Sequence, residues 1–264
     1  MFDTTKYGPW AVIAGGSEGV GAEFARMLAE DGVNLILIAR KPGPLEATAH
    51  MCRDLGVQVR AASVDLLDPT AVAQLADAST DVEVGLLIYN AGASTCNEPF
   101  LEAELVDFQK VVDLNVTRMM DMVQLFGRPM AARRRGGIMI VGSLSGYMGA
   151  DRHSVYAGAK AFSRMFAESL WLELREHNVD VLELVLGVTR TPAMERIGLN
   201  FDAPGMLVNT PAEVAREGLD HIADGPVVVA GGNAERAVAN SAPDRARVVL
   251  EVHEAIRELV NLRK

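Results

Sequence analysis

The sequence predicts an α/β fold: one domain on a doubly wound parallel sheet, with helices on both faces. Three observations carry that expectation. Short apolar runs alternate with stretches of helical period along most of the chain. The runs are apolar at nearly every position, as in 34–39, which suits strands covered on both sides. The connections are short, so successive strands and helices belong to one layered unit whose ligands lie at the carboxyl ends of the strands. With 264 residues, 49% of them hydrophobic, the chain can bury one large core.

A first strand at 10–14 runs into Gly15-Gly16-Ser17-Glu18-Gly19-Val20-Gly21 and then a helix with Phe24, Met27 and Leu28 on one face. Glycines at 15, 19 and 21 let the backbone turn tightly and approach a diphosphate, which a helix N-terminus attracts. The spacing is GxxxGxG and not the common GxGxxG, and a plain βα turn is the alternative reading. The second strand, 34–39, ends at Arg40-Lys41 with no acid. An acid there binds the ribose of NAD, whereas arginine accommodates a 2′-phosphate. The two positive charges favour NADP, with NAD possible. Glu18 works against the phosphate, and Arg40 can also be read as a plain surface charge.

A helix at 43–55 leads to a strand at 58–63 and Asp65-Leu66. A helix at 69–76 leads to a strand at 84–89 and Asn90-Ala91-Gly92. The long helical region 102–134 holds Asn115 among Val111, Val112, Leu114 and Val116. A buried amide must find hydrogen bonds, so Asn115 either bends the helix or holds a water. A strand at 137–141 ends at Gly142-Ser143, and a helix at 154–177 carries Tyr156 and Lys160. Four residues apart, these two share a helix face. An ammonium near a phenol favours the phenolate, one route to a tyrosine acid/base near neutrality. The same spacing also occurs on solvated helices. Strands at 181–186, ending at Gly187, and at 227–230 complete the pattern.

The glycine turn, Asn90-Ala91-Gly92, Asn115, Ser143 and Tyr156-x-x-x-Lys160 stand in the order and separations of the short-chain dehydrogenase/reductase family, which the chain resembles over roughly residues 8–230. The resemblance implies a Rossmann fold, a nicotinamide cofactor and alcohol/carbonyl interconversion. It implies Tyr156 as proton donor and acceptor, Lys160 as its tuner and ribose ligand, Ser143 as the group holding the substrate oxygen, and Asn115 as the holder of a water reaching Lys160. Cofactor contacts are expected from Gly15, Ser17, Glu18, Gly19 and Val20, from Arg40, from Asp65 and Leu66, and from Asn90, Ala91 and Gly92. Tyr156, Lys160 and the loop residues Gly187, Thr189 and Thr191 are expected to join them. Ala14, Tyr89 and Leu186 depart from the residues usual in the family. Tyr7-Gly8-Pro9-Trp10-Ala11 with Ser17-Glu18-Gly19 is similar to the branch of 17β-hydroxysteroid dehydrogenases and long-chain 3-ketoacyl reductases.

The segment 192–211 is long and apolar, with Met194, Ile197, Leu199, Phe201, Met206, Leu207 and Val208. It is expected to form a lid over a hydrophobic carbonyl or alcohol substrate, contacted by Ser145, Met148, Met194 and Ile197. Packing of the same residues on the core is the alternative. A helical extension is expected at 234–264, with an apolar stripe of Val248, Val249, Val252, Ile256 and Leu259 that must be buried. The resemblance implies a homodimer or homotetramer.

A formal net charge of −10 argues against nucleic-acid partners. Five scattered histidines suggest no metal site. Two cysteines, no signal-peptide pattern and no apolar run of membrane-spanning length lead to the expectation of a soluble cytoplasmic protein. The expected function is an NADP-dependent oxidoreductase of hydrophobic alcohols and ketones. A non-catalytic dinucleotide-binding sensor or scaffold on the same fold is the rival.

Overall fold

The computed structural model describes residues 2–203 and 205–261, with side chains through Glu254. After a short helix α1 (Thr4–Tyr7) come β1 (Trp10–Ala14), α2 (Gly19–Glu30), β2 (Asn34–Ala39), α3 (Pro42–Asp54), β3 (Val59–Ser63), α4 (Ala71–Ser79) and β4 (Val84–Tyr89). Next are α5 (Leu105–Val112), a π-helical turn at Asp113–Thr117, α6 (Arg118–Arg133), β5 (Gly136–Ser143), α7 (Ser154–Leu174) and β6 (Val179–Leu186). The chain finishes with β7 (Val188–Thr189), α8 (Pro192–Arg196), β8 (Val208–Asn209), α9 (Pro211–Asp220), β9 (Val227–Val229), α10 (Ala234–Asn240) and α11 (Arg245–Asn261).

Seven strands form one sheet in the order β3-β2-β1-β4-β5-β6-β9, and every pairing is parallel. The first six follow the Rossmann order 3-2-1-4-5-6, whose direction of winding reverses between β1 and β4. Alternate residues of each strand feed opposite layers. Ala11 and Ile13 pack with Phe24, Leu28, Leu45, Val214 and Leu219 of α2, α3 and α9. Val12 and Ala14 belong to the layer of Leu75, Met122, Phe126 and Ala167 from α4, α6 and α7. Each fully buried Leu, Ile or Phe contributes ~1.5–3 kcal/mol relative to exposure. Filling both layers makes the strand ends a firm base for the loops above them.

Three expectations change in detail. The helical region placed at 102–134 begins at Leu105 and is interrupted by the π-turn. There Nδ2 of Asn115 donates to the Val111 carbonyl, 2.9 Å away and four residues back, competing with the backbone for that acceptor. The ladder widens at that point. The segment 192–211 contains α8 and β8, and β8 pairs with β7, so its far end is pinned beside its start. Within it Phe201 is buried, with the Arg190 guanidinium 4.4 Å from its ring, and serves packing. The extension forms α10 and α11, and of its apolar stripe Val248 is buried and Val249 and Val252 are half-buried. The Ile256 and Leu259 side chains, and Leu262, lie outside the described residues.

Candidate active site

The glycine turn between β1 and α2 is built for close approach. Gly15 and Gly19 have φ of +81° and +58°, a region that disfavours residues with a Cβ. A Cβ on Gly21 would overlap the Gly15 carbonyl oxygen. The same oxygen accepts a hydrogen bond from Asn90 Nδ2 at 3.0 Å, which joins the loop after β4 to the turn after β1. Glu18 precedes α2 but makes no capping bond to it. Its carboxylate instead accepts from both terminal nitrogens of Arg196 in α8, one at 2.9 Å. Arg196 holds that carboxyl below its usual range, and Lys41 adds to the effect. The first-turn N–H groups of α2 therefore remain directed at the crevice with the nearby negative charge offset. Such a cradle fits a dinucleotide diphosphate.

The other expected cofactor residues line the same edge. Ser17 and Val20 belong to the turn, and the Ser17 carbonyl accepts from the Thr48 hydroxyl at 3.0 Å. Arg40 and Lys41 are exposed at the end of β2. Asp65 is exposed after β3, and its carboxylate accepts from the Leu67 N–H at 3.0 Å. Leu66 is buried, and its carbonyl accepts from Arg118 Nε at 2.6 Å. Thr191 caps α8, and a Cβ on Gly19 would touch its side chain, so the loop Gly187–Thr189–Thr191 approaches the glycine turn.

The acid/base candidates stand at the ends of β4 and β5 and on α7. Lys160 is buried, and its Nζ donates to the Val141 carbonyl of β5 at 3.0 Å and lies 5.8 Å from the centre of the Tyr156 ring. Two residues beyond Val141, the Ser143 hydroxyl accepts from the Ser145 N–H at 3.1 Å. One strand therefore anchors both the serine and the lysine. Asn115 is buried, with Nδ2 also donating to the Ala93 carbonyl at 3.1 Å and Oδ1 without a partner among the described residues. A Cβ on Gly92 would stand 2.7 Å from that Oδ1 and 3.0 Å from Lys160 Nζ. Gly92, Asn115 and Lys160 thus meet at one point.

Tyr89, where the family usually has another residue, reaches from β4 to donate to the Leu114 carbonyl at 2.5 Å. Burial pushes its phenol well above the ordinary range, so it stays a donor. It ties β4 to the π-turn that carries Asn115. His153 flanks Tyr156 edge-on, ring centres 6.2 Å apart, at the start of α7.

Of the expected substrate residues, Ser145, Met148 and Met194 are half-buried, while Ile197 is 71% exposed. Among the described residues no three His, Cys, Asp or Glu side chains gather as metal ligands would. Three further features escaped the sequence reading. Arg196 carries no local signal, since its partner is 178 residues away. Asn233 and Asn209 are buried and hydrogen-bonded at 3.3 Å, and Asn233 packs against Gly187. Glu183 lies buried in the middle of β6, and an acid inside an otherwise apolar strand was the available sign.

A doubly wound sheet with a glycine turn at its switch point and a Tyr–Lys pair at the next strand ends defines the class of nucleotide-binding dehydrogenase folds. A family model described as short chain dehydrogenase matches residues 9–200, and the chain belongs to that family. The chain is 33% identical over 221 residues to a very-long-chain 3-oxoacyl-CoA reductase of Podospora anserina, covering 81% of this chain and 65% of that protein. It therefore spans about two thirds of the length of such relatives. Against a 7beta-hydroxysteroid dehydrogenase of Clostridium sardiniense the identity is 26%, over 94% of this chain and 95% of the relative. A short-chain dehydrogenase from Sphingobium yanoikuyae in complex with NADPH superposes with a TM-score of 0.78 at 28% identity, covering 90% of this chain and 93% of the other.

Proposed function

We propose that the protein interconverts a secondary alcohol and a ketone on a hydrophobic substrate, with NADP as the hydride carrier. The observation that carries this reading is the convergence of Lys160 and Asn115 at Gly92, with Lys160 and Ser143 anchored on one strand. Ser143 holds the substrate oxygen and orients the reacting carbon. Tyr156 gives that oxygen a proton in reduction and removes it in oxidation. Lys160 stands beside the Tyr156 ring and holds the nicotinamide ribose, and the Oδ1 of Asn115, without a partner among the described residues, suits a water that relays protons to Lys160. When bound, the nicotinamide supplies or accepts the hydride.

NADP is supported by Arg40 and Lys41 after β2, by the pairing of Glu18 with Arg196, and by the NADPH bound to the Sphingobium protein. A hydrophobic substrate is supported by the half-buried Met148 and Met194 and by the names of the two relatives. Residues 192–211 act as the lid, with Ile197 at its exposed surface. The relatives, named for reductase and dehydrogenase activities, do not favour the non-catalytic rival.

On α7, Phe162, Met165 and Leu172 form an exposed apolar stripe, with Leu105, Val106 and Val112 of α5 also exposed, and this surface supports a homo-oligomer. Both thiols are free, in keeping with a reducing compartment such as the cytoplasm. No described helix is long and apolar enough to cross a membrane.

A spectrophotometric screen of NADPH and NADH against 3-oxoacyl thioesters, ketosteroids and small polar ketones tests the proposal, with Tyr156→Phe as control. Turnover of hydrophobic ketones that is lost in Tyr156→Phe is the expected result. A variant that keeps near-wild-type turnover, or a preference for polar ketones, overturns it.

A further inference from the structure

Beneath the Tyr156–Lys160 pair lies a titratable group that the reaction scheme leaves unused. Glu183, 1% exposed, sits at the centre of β6 with its side chain directed at α7. Its Oε1 is 2.7 Å from the Ser163 hydroxyl, and that hydroxyl is 2.8 Å from the backbone carbonyl of Lys160. On the other side the carboxylate presses on β5. A Cβ on Gly142 would stand 2.5 Å from Oε1, so the strand residue between Val141 and Ser143 is a glycine. Glu183 therefore touches both supports of the site: the α7 turn that carries Lys160, and the β5 segment that anchors Lys160 Nζ and holds Ser143.

We propose that Glu183 is a positioning residue, whose protonation state resets the Ser163 hydrogen bond under Lys160 and makes the reaction pH-dependent. The proposal rests on the Tyr156–Lys160 reading above.

The hydroxyl of Ser163 has one proton and two acceptors in reach. A protonated Glu183 donates to the Ser163 oxygen, leaving that hydroxyl to donate to the Lys160 carbonyl. An ionised Glu183 accepts the hydrogen bond of the Ser163 hydroxyl, which is thereby withdrawn from the Lys160 carbonyl. It also sets a negative charge beneath the Lys160 ammonium. Among the described residues Oε2 has no hydrogen-bond partner, so only the Ser163 bond at Oε1 and the nearby positive charges of α7 favour the ionised form. The titratable and charged side chains that face it are Lys160, Arg164 and Glu168 of α7 and Tyr147 of the turn after β5. The flanking segments of β5 and β9, 136–143 and 227–229, contain no titratable side chain. Burial pushes the Glu183 carboxyl up to about 7, with the Ser163 bond and the Lys160 and Arg164 charges opposing and Glu168 adding to the rise.

The test compares wild type, Glu183→Gln, Ser163→Ala and Tyr156→Phe in the NADP-dependent oxidation of a 7β-hydroxysteroid probe from pH 6 to 9. The ratio of the Glu183→Gln rate to the wild-type rate should rise from near one at the acid end to about threefold at the basic end, the size of a nearby partly screened charge. Ser163→Ala removes the bond that Glu183 resets and also a bond that stabilises the carboxylate, so the pH dependence that remains, carried by charge alone, should be smaller and lie at higher pH. A structural role alone would give a ratio independent of pH, and that result overturns the proposal.

Melting temperatures supply a readout without turnover. The folded-state value lies above the unfolded one of about 4.5, so the stability linked to this group is complete at lower pH and is lost as pH rises to about 7. Wild type should lose stability over that window relative to Glu183→Gln, and a difference that is flat with pH also overturns the proposal. If Tyr156→Phe still turns over, the Tyr156–Lys160 reading has failed and takes this proposal with it. If Tyr156→Phe is dead and the Glu183→Gln ratio is constant, only this proposal has failed.

Discussion

Arg196 and Glu18, 178 residues apart in the chain, meet in a two-nitrogen ion pair that fastens the start of the 192–211 segment to the glycine turn. The pair is partly exposed, so its contribution to stability is small. Its consequence is local: it offsets a carboxylate where a diphosphate would bind. Arg196→Ala should raise the KM for NADPH about fivefold, the effect of one uncompensated charge in a water-accessible site, with little change in melting temperature. Adding Glu18→Gln to that variant should recover most of the loss, because the repelling charge is then gone. Steady-state kinetics of the single and double variants check it.

Gly92→Ala should cost turnover more than stability. The added methyl would lie 2.7 Å from Asn115 Oδ1 and 3.0 Å from Lys160 Nζ, so one of the two side chains must shift. Misplacing a reacting group by about 1 Å can cost ~10²-fold. The expected outcome is a kcat reduced by about that factor, with a far-UV circular dichroism spectrum like that of wild type.

Arg40→Asp should move the cofactor preference from NADPH toward NADH. Arg40 stands exposed at the end of β2, where a 2′-phosphate is met in this fold, and the substitution exchanges attraction for repulsion. The ratio of kcat/KM for the two cofactors measures it. An unchanged ratio would assign phosphate recognition to other residues.

Leu172→Glu should break the proposed assembly. Leu172 is 62% exposed on the α7 stripe it shares with Phe162 and Met165, and a carboxylate there would be desolvated on association. Light scattering after size exclusion should show a smaller species than wild type at the same concentration. If the wild type is itself monomeric, the stripe is not an interface between copies.

Much of the fold was legible because its signals are local. β1, β2 and β4 are apolar at nearly every position, and their boundaries agree with the expected ones. At Asn115 the sequence left a local bend of the helix and a held water as alternatives; the π-turn is such a bend, while the second bond of the amide, to Ala93 in another loop, lies beyond any local window. Phe201 was expected to line a lid, and its burial under Arg190 depends on how the segment folds back along β7.

By itself the sequence determined the alternation of strands and helices, the glycine turn and the Tyr156–Lys160 face. These follow from backbone sterics and helical periodicity within a few residues. The tertiary structure alone decided that β5 anchors both Ser143 and Lys160, that Gly92 sits between Asn115 and Lys160, that Arg196 offsets Glu18, and that Glu183 lies under the site. Each of these depends on strand order and register, which bring together residues far apart in the chain and expose or bury their charges. No short window of sequence contains that information.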